Sequence, residues 1–447
     1  MSTSLDSPHS PSLHPLRKPS PSLPAELLHE IFIHVKQFSR RDVVACSAVC
    51  RTWHGVALPL WWERLTLDVN CLGDAKSIYH HFKAMDQFLT KSPLHCSYVQ
   101  KVVINLNILS GEGEQTLGSH GLNISGGWAE ERTNNLAQLP RHRLSRTNIL
   151  PLIISILTMV SPIRTLQLKG FNKDSLGADL FFCALIKRSL LRHLVCLKVI
   201  DQERWFFPDG DHPFLRWLSS LRHLHTVHFR GLNLEFSSAL STSRTIAFRS
   251  QSLHTLILTE VSIWQTIEPL IVGCQALRSL EIVGYHRLSL VKCLRQLPRF
   301  CPQLEHLRLV VMAVDSNAVS HSNTFMGMNN IGTTLSIETS IEPLLRGCRT
   351  LRTLEVFGVG EMGDVGLKAM VQYGRGLHTL AVRDSPKLTG DGIEAILRNA
   401  GVVERALRHL DMVGCSGLRG ELLQALVETC PNLHTMVPPD HLKAYRK

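Results

Sequence analysis

The sequence has no apolar run long enough to cross a bilayer. Its nearest approach, Leu150–Ile163, covers 14 residues and is broken by Pro151, Ser155, Thr158, Ser161 and Pro162, whereas a spanning helix needs about 20 apolar residues. It reads as a buried helix, and no membrane partner is expected. No basic start leads into an apolar signal core, so secretion is not expected either. The twelve cysteines are then free thiols in a reducing compartment, cytoplasm or nucleus, and not a disulfide framework. Metalloprotease, Walker and G-x-S-x-G motifs are missing, as is any pattern of paired carboxylates, so no catalytic constellation stands out. Aromatic residues are scarce at 6%, and few fall on the strands inferred below, which disfavours stacking of nucleic-acid bases. A dense Lys/Arg block is absent too, although the formal charge is +11. The cations gather in residues 149–337, with 19 Lys or Arg against 12 Asp or Glu, while residues 338–447 balance at 14 against 13. A moderate positive field of this kind favours acidic or phosphorylated partners.

Residues 1–21 are Ser- and Pro-rich with almost no large apolar groups, the composition of a disordered leader. From Leu23 to Leu65 the character changes. Ser22 can cap a helix with Pro24 in its first turn, where the missing amide hydrogen costs nothing. Leu27, Leu28, Ile31, Phe32 and Val35 then form a broad stripe at helical spacing. Ser39 and Asp42 resemble a capping box with a shortened acid. A second helical pattern runs through Val43, Cys46, Val49, Cys50 and Trp53, followed by Val56, Leu60, Trp61 and Trp62. A helical unit of about 43 residues seldom encloses a self-sufficient core. Each large side chain left wet forfeits roughly 1.5–3 kcal/mol. The surplus asks for cover, either from the next domain or from another protein.

These residues resemble a known family. The L-P-x-E-L-L-x-x-I-F opening, the D-V-V-x-C-S-x-V-C-R-x-W-H centre and the L-P-x-W-W close are similar to an F-box. The resemblance implies a three-helix module over residues 22–66 that docks on the Skp adaptor, and through it on a cullin, in ubiquitin ligases. It implies that Leu23, Pro24, Leu27, Leu28, Ile31, Phe32, Val44, Cys46, Val49 and Trp53 serve that docking or the module's own packing.

Residues 67–148 read as degenerate first repeats. Trp62–Leu67 and Val99–Ile104 look like strands, and a polar, Gly-rich stretch at 107–148 looks like a long insertion. A repeat then takes over. The phrase Leu-x-x-Leu-x-Leu recurs, with apolar replacements, around Leu166, Leu197, Val227, Leu256, Leu280, Leu307, Leu354, Leu380, Leu410 and Met436. Intervals run from 24 to 31 residues except for one of 47, which holds a Ser/Asn/Gly-rich insertion near 313–336. Cys274, Cys301, Cys348 and Cys430 each lie three residues before a repeat's first Leu, where a small buried hydrophobe suits the end of a helix. Gly170, Gly231, Gly284, Gly358 and Gly414, with Asp384 as a tolerable substitute, supply a turn after each strand. This pattern resembles the leucine-rich repeat in its cysteine-containing subtype. Each unit is strand, turn and helix, and none buries its apolar face alone. The expected fold is therefore α/β: a three-helix module, then a solenoid over 149–437 with a parallel sheet on its concave side, then a tail at 438–447.

Side chains alternate along a strand, so the residues flanking the buried apolar positions face the concave side. That ladder reads Gln167, Lys198, His228, Ile257, Glu281, Arg308, Glu355, Ala381 and Asp411, with Lys169, Arg230, Thr259, Phe357 and Arg383 as outer neighbours. Its first half leans basic and its later half carries the acids. The competing reading is a merely solvated strand surface.

Two motifs mislead. Gly358-Val359-Gly360-Glu361-Met362-Gly363, with Asp384 at the next strand's end, spells a dinucleotide fingerprint. Yet Gly358 and Asp384 both fall on the repeat's turn position, and Glu361 and Asp364 put negative charge where a pyrophosphate would sit. Cys46, Cys50 and His54 recur every fourth residue but lack a fourth ligand. Neither a cofactor nor a metal is expected. The leading expectation is a non-catalytic substrate receptor of a Skp–cullin–F-box ligase, with the concave face holding an unknown protein target. A scaffold that binds the adaptor without degradation is the alternative. A basic solenoid binding nucleic acid is a third reading, which the scarcity of strand aromatics disfavours.

Overall fold

The computed structural model describes residues 23–68, 75–106, 144–160, 163–170, 176–200, 204–207, 212–236, 250–263, 268–284, 287–311, 337–358, 362–398 and 406–445. The chain forms two compact units, residues 1–63 and 64–447.

The first unit holds three helices, α1 (Ala25–Phe38), α2 (Arg40–Ser47) and α3 (Arg51–Trp62). Pro24 stands before α1 and not within its first turn: its ψ of 145° is extended, so the helix begins one residue later. Ser22 lies outside the described residues. Ser39 does cap α2, its hydroxyl accepting from the Asp42 amide at 3.3 Å. The single helical pattern read through Val43–Trp53 is two helices. Ala48 and Val49 close tightly on the carbonyls of Ala45 and Cys46, and Cys50 is extended with φ −160°. Leu28, Phe32, Val43, Ala57 and Leu60 make the core, with Trp53 packed partly against it. Phe32 and Trp53 meet edge to face at 5.3 Å, a favoured aromatic geometry.

Among the described residues, the second unit is built on one parallel sheet of twelve strands. They are β1 (Arg64–Asp68), β2 (Lys101–Asn105), β3 (Thr165–Lys169), β4 (Cys196–Ile200), β6 (Thr226–Arg230), β8 (Thr255–Thr259), β10 (Ser279–Val283), β11 (His306–Val310), β12 (Thr353–Phe357), β13 (Thr379–Arg383), β14 (His409–Asp411) and β15 (Thr435–Val437). Each strand pairs with the next in that order, so the sheet is open and neighbours in space are neighbours in sequence. The two degenerate strands read after residue 62 are β1 and β2. A second sheet of three short strands, β5 (Arg204–Phe207), β7 (Asn233–Phe236) and β9 (Ser262–Ile263), was not expected from the sequence.

Strand burial alternates as period two demands: β3, β4, β8, β10 and β12 all read half-buried, buried, half-buried, buried, half-buried. Between most successive strands of the large sheet a helix returns the chain. The stretch expected as a buried helix forms most of the helix Leu144–Met159, with Ile153, Ile156 and Leu157 fully buried. Residues 107–143 and the insertion near 313–336 lie outside the described residues. Part of the tail forms a short 3-10 helix, Asp440–Tyr445.

Between β3 and β8 the core is aromatic. Phe182 lies 5.0 Å from Phe214 and 5.3 Å from Trp217, and Phe214 reaches Phe229 on β6. Farther along, cysteines stitch successive repeats. The Cys348 thiol points to the Cys301 carbonyl at 3.6 Å, and the Cys301 thiol to that of Cys274 at 3.7 Å. Burial pushes the Cys301 and Cys348 thiols up to about 12, so they pack as neutral hydrophobes. The turns follow the sequence reading. Gly170, Gly231, Gly284, Gly358 and Gly414 have φ between 66° and 80°, and Asp384 has φ 54°. Glu260 takes the same left-handed position at φ 55°, where the sequence offered neither Gly nor Asn.

Candidate functional site

Two surfaces carry the candidate residues, one in each unit. In the first, α1 has two apolar sides. Leu28 and Phe32 point inward and are 1% exposed, whereas Leu27 and Ile31 on the helix, and Leu23 just before it, are 52%, 45% and 47% exposed. Of the two roles the resemblance implied, docking or the module's own packing, Leu28 and Phe32 take the packing one. Val44 and Val49 add exposed apolar groups after α1, at 40% and 61%. Pro24 is exposed, while Cys46 and Trp53 are half-buried against the core. Six of the ten large hydrophobic residues exposed among the described residues fall between Leu23 and Val49. Each such residue leaves burial energy unclaimed, so the surplus argued from the sequence is present on the surface.

In the second unit, every residue read onto the concave ladder stands in register. Gln167 pairs with Lys198, Lys198 with His228, His228 with Ile257, and Ile257 with Glu281. The line continues through Arg308, Glu355, Ala381 and Asp411. Lys169 and Arg230 line up through Ile200 on a parallel row, as Phe357 and Arg383 do farther on. Ala381 and Asp411 are buried, at 3% and 2% exposure, so the ladder offers less surface at its end than its sequence suggests.

The two halves of this face differ electrostatically. In the later half the charges satisfy one another. Arg308 bridges Glu281 at 3.1 Å and Glu355 at 3.3 Å, and Arg383 pairs with the buried Asp411 through both Nε and Nη2. That hydrogen bond is the main reason the Arg383 guanidinium holds its proton even more firmly than usual. Phe357 lies between the two arginines, with guanidinium carbons 5.6 Å and 4.8 Å from its ring centre, a cation–π arrangement. In the earlier half, Lys169 and Lys198 have no ion-pair partner among the described residues.

The glycine-rich decoy resolves structurally. Gly358 is a turn glycine, and residues 359–361 lie outside the described residues. The amides of Gly363 and Gly366, which open the helix Asp364–Tyr373, donate to the Glu338 carboxylate at 2.6 Å and 3.1 Å. The position where an anion would rest on a helix N-terminus thus holds a carboxylate from the preceding repeat. Asp364 does the same one repeat later, accepting from the Thr389 amide at 2.8 Å. Nothing local in the sequence marks Glu338 for this, because its partners lie 25 and 28 residues away. Cys46 and Cys50 do not share a helix, and the His54 ring lies against the Ser47 carbonyl at 3.2 Å. Among the described residues no group of three or more His, Cys, Asp or Glu is placed to hold a metal ion, and no helix is long and apolar enough to cross a membrane.

Comparison with known proteins finds a family model that matches the first unit's helices. Residues 20–68 match the F-box-like family model. No curated protein matches the chain. Among solved structures, an internalin from Listeria monocytogenes is similar, at 16% identity over 66% of this chain and 76% of that one, with a TM-score of 0.35. A superposition that loose adds nothing to the repeat and strand register already described.

Proposed function

For a chain that joins an F-box-like module to a leucine-rich-repeat solenoid, we propose the role of substrate-recognition subunit in a Skp–cullin–F-box ubiquitin ligase. The module docks on the Skp adaptor, and the open face of the twelve-stranded sheet holds a client protein. The observation that carries the first half is the exposed apolar strip of Leu27 and Ile31 on α1, continued by Leu23 just before the helix, beside the buried pair Leu28 and Phe32. A helix that needs only one apolar side for its own core has no internal use for the second. Catalysis in this reading is by proximity: tethering turns ubiquitin transfer from a bimolecular into an effectively intramolecular event. The chain contributes no reacting group.

The test separates docking from folding. Ile31→Asp should abolish co-purification of the Skp adaptor while the helical signal and the melting curve of the full chain stay unchanged. Phe32→Ala should instead melt the module, since a buried Phe lost to Ala costs about 3–5 kcal/mol. Undiminished adaptor capture by the Ile31→Asp chain would refute the role. Cullin co-purification, together with a client whose lifetime lengthens when the module is deleted, would distinguish a degradative receptor from a scaffold.

A further inference from the structure

Strands β3, β4 and β6 bring Lys169, Lys198, His228 and Arg230 to the same side of the sheet. Lys198 lies in register between Gln167 and His228, and Lys169 lies in register with Ile200 and then Arg230. With strands about 4.8 Å apart and alternate residues about 6.6 Å apart, Lys198 sits roughly 8 Å in backbone terms from each of the other two cations. The three form a triangle, and His228 stands beside its apex.

No acid in the described structure closes that triangle. Arg230 does reach Glu260, at 3.4 Å, but the two side chains are 53% and 49% exposed, and such pairs are worth little. His228 approaches the Thr259 hydroxyl at 3.2 Å, which fixes the ring without supplying charge. Burial first, then the positive charges of Lys198 and Arg230, push its imidazole below the usual histidine range, and Glu281 only partly offsets them. Burial pushes the thiol of Cys196, two residues before Lys198 on β4, above its usual range, and the positive charges of Lys198 and Lys101 only partly offset this. The contrast with the later half is the decisive point. There Arg308 and Arg383 have acids within the face, whereas among the described residues Lys169 and Lys198 have no ion-pair partner and Arg230 has only the exposed Glu260.

We infer that this cationic triangle is the primary anchor for the client, and that it takes a short segment bearing concentrated negative charge, as carboxylates or as phosphate. The inference rests on the sheet being the client-binding face. Charge on the guest relieves the crowding at Lys169, Lys198 and Arg230, and the charge-assisted hydrogen bonds it forms are the strong kind. The self-neutralised half beyond β10 contributes shape and the Phe357 ring, and little net attraction.

The experiment uses the full chain and three short fluorescein-labelled peptides of one sequence, with glutamates, phosphoserines or glutamines at the same places. The wild type should bind a charged peptide about tenfold or more tightly than the glutamine peptide, with an affinity that falls as salt is added. The glutamate and phosphoserine arms show which anion fits better. Lys169→Glu with Lys198→Glu should erase the preference, and Lys169→Gln with Lys198→Gln should halve its logarithm. Lys368→Glu with Lys387→Glu changes the net charge equally at exposed positions off the strands and should leave the preference intact. Equal binding of all three peptides, or an equal loss in the control pair, overturns the inference. So does a single-stranded RNA probe that outcompetes both charged peptides, because the strip would then serve nucleic acid. Melting curves of the lysine variants should match the wild type; the glutamine pair keeps the test open if charge reversal disturbs folding. Peptide selectivity lost with adaptor capture intact condemns this inference alone, and the converse condemns only the ligase role.

Discussion

Ile31 and Phe32 are adjacent in sequence and have opposite tasks, because a step of one residue on a helix turns the side chain by about 100°. Phe32 closes the three-helix core, and Ile31 faces outward. Residue chemistry is as decisive at the turns. Gly358 has φ 70°, and a Cβ there would also run into the Val311 carbonyl oxygen. Gly284 has φ 80°, but its nearest obstacle is the Glu260 Cα at 3.3 Å, a tight approach that a small shift of the neighbour would relieve. Gly358→Ala should therefore cost more than Gly284→Ala, which bears mainly the left-handed strain of about 1–2 kcal/mol. Denaturant midpoints of the two variants measure the difference, and an equal or reversed order would contradict the backbone clash. Asp384 and Glu260 show that the position tolerates a side chain where nothing crowds it, Asp by its known ease in this region. Asp384 was readable from its residue type; Glu260 was not, since glutamate has no such habit.

At the scale of elements, the helix Asp364–Tyr373 begins with glycine amides that no side chain of its own first turn satisfies. Glu338 reaches across from the preceding helix to do so. Glu338→Ala should remove about 1–2 kcal/mol from the local stability of that helix start. Hydrogen exchange at the Gly363 and Gly366 amides should quicken, while the amides of the helix Gly420–Thr429 keep their wild-type rates. A uniform change over the whole array would mean that Glu338 acts on something broader. Strands were the most legible elements, because alternation with Leu at fixed spacing specifies both face and register. The residues Gln167 to Asp411 consequently align as their spacing implied. The break between α2 and α3 was hidden, since Val43, Cys46, Val49, Cys50 and Trp53 keep a helical rhythm straight through it. Strands β5, β7 and β9 were hidden for another reason: segments of two to four residues are too short for any period to show. The exposed apolar strip was legible as apolar surplus. Which of its residues face outward was not, as that depends on where α2 and α3 pack.

For the whole molecule, the division at Glu63 and Arg64 implies that the repeat array keeps its own core. A chain of residues 64–447 should retain a cooperative melt and the peptide selectivity proposed above, while losing the adaptor. Aggregation of that fragment without a transition would show that the array depends on the helices before it. Twelve strands in one open parallel sheet also fix a ruler. Eleven inter-strand steps of about 4.8 Å span about 53 Å, the length of roughly sixteen residues of extended chain laid across them. The three strands of the cationic triangle take up only about 10 Å of that, some three residues. A guest thus needs just a brief charged stretch to gain a foothold, and whatever follows it in the guest's sequence, for a dozen residues more, decides whether the rest of the ruler is filled.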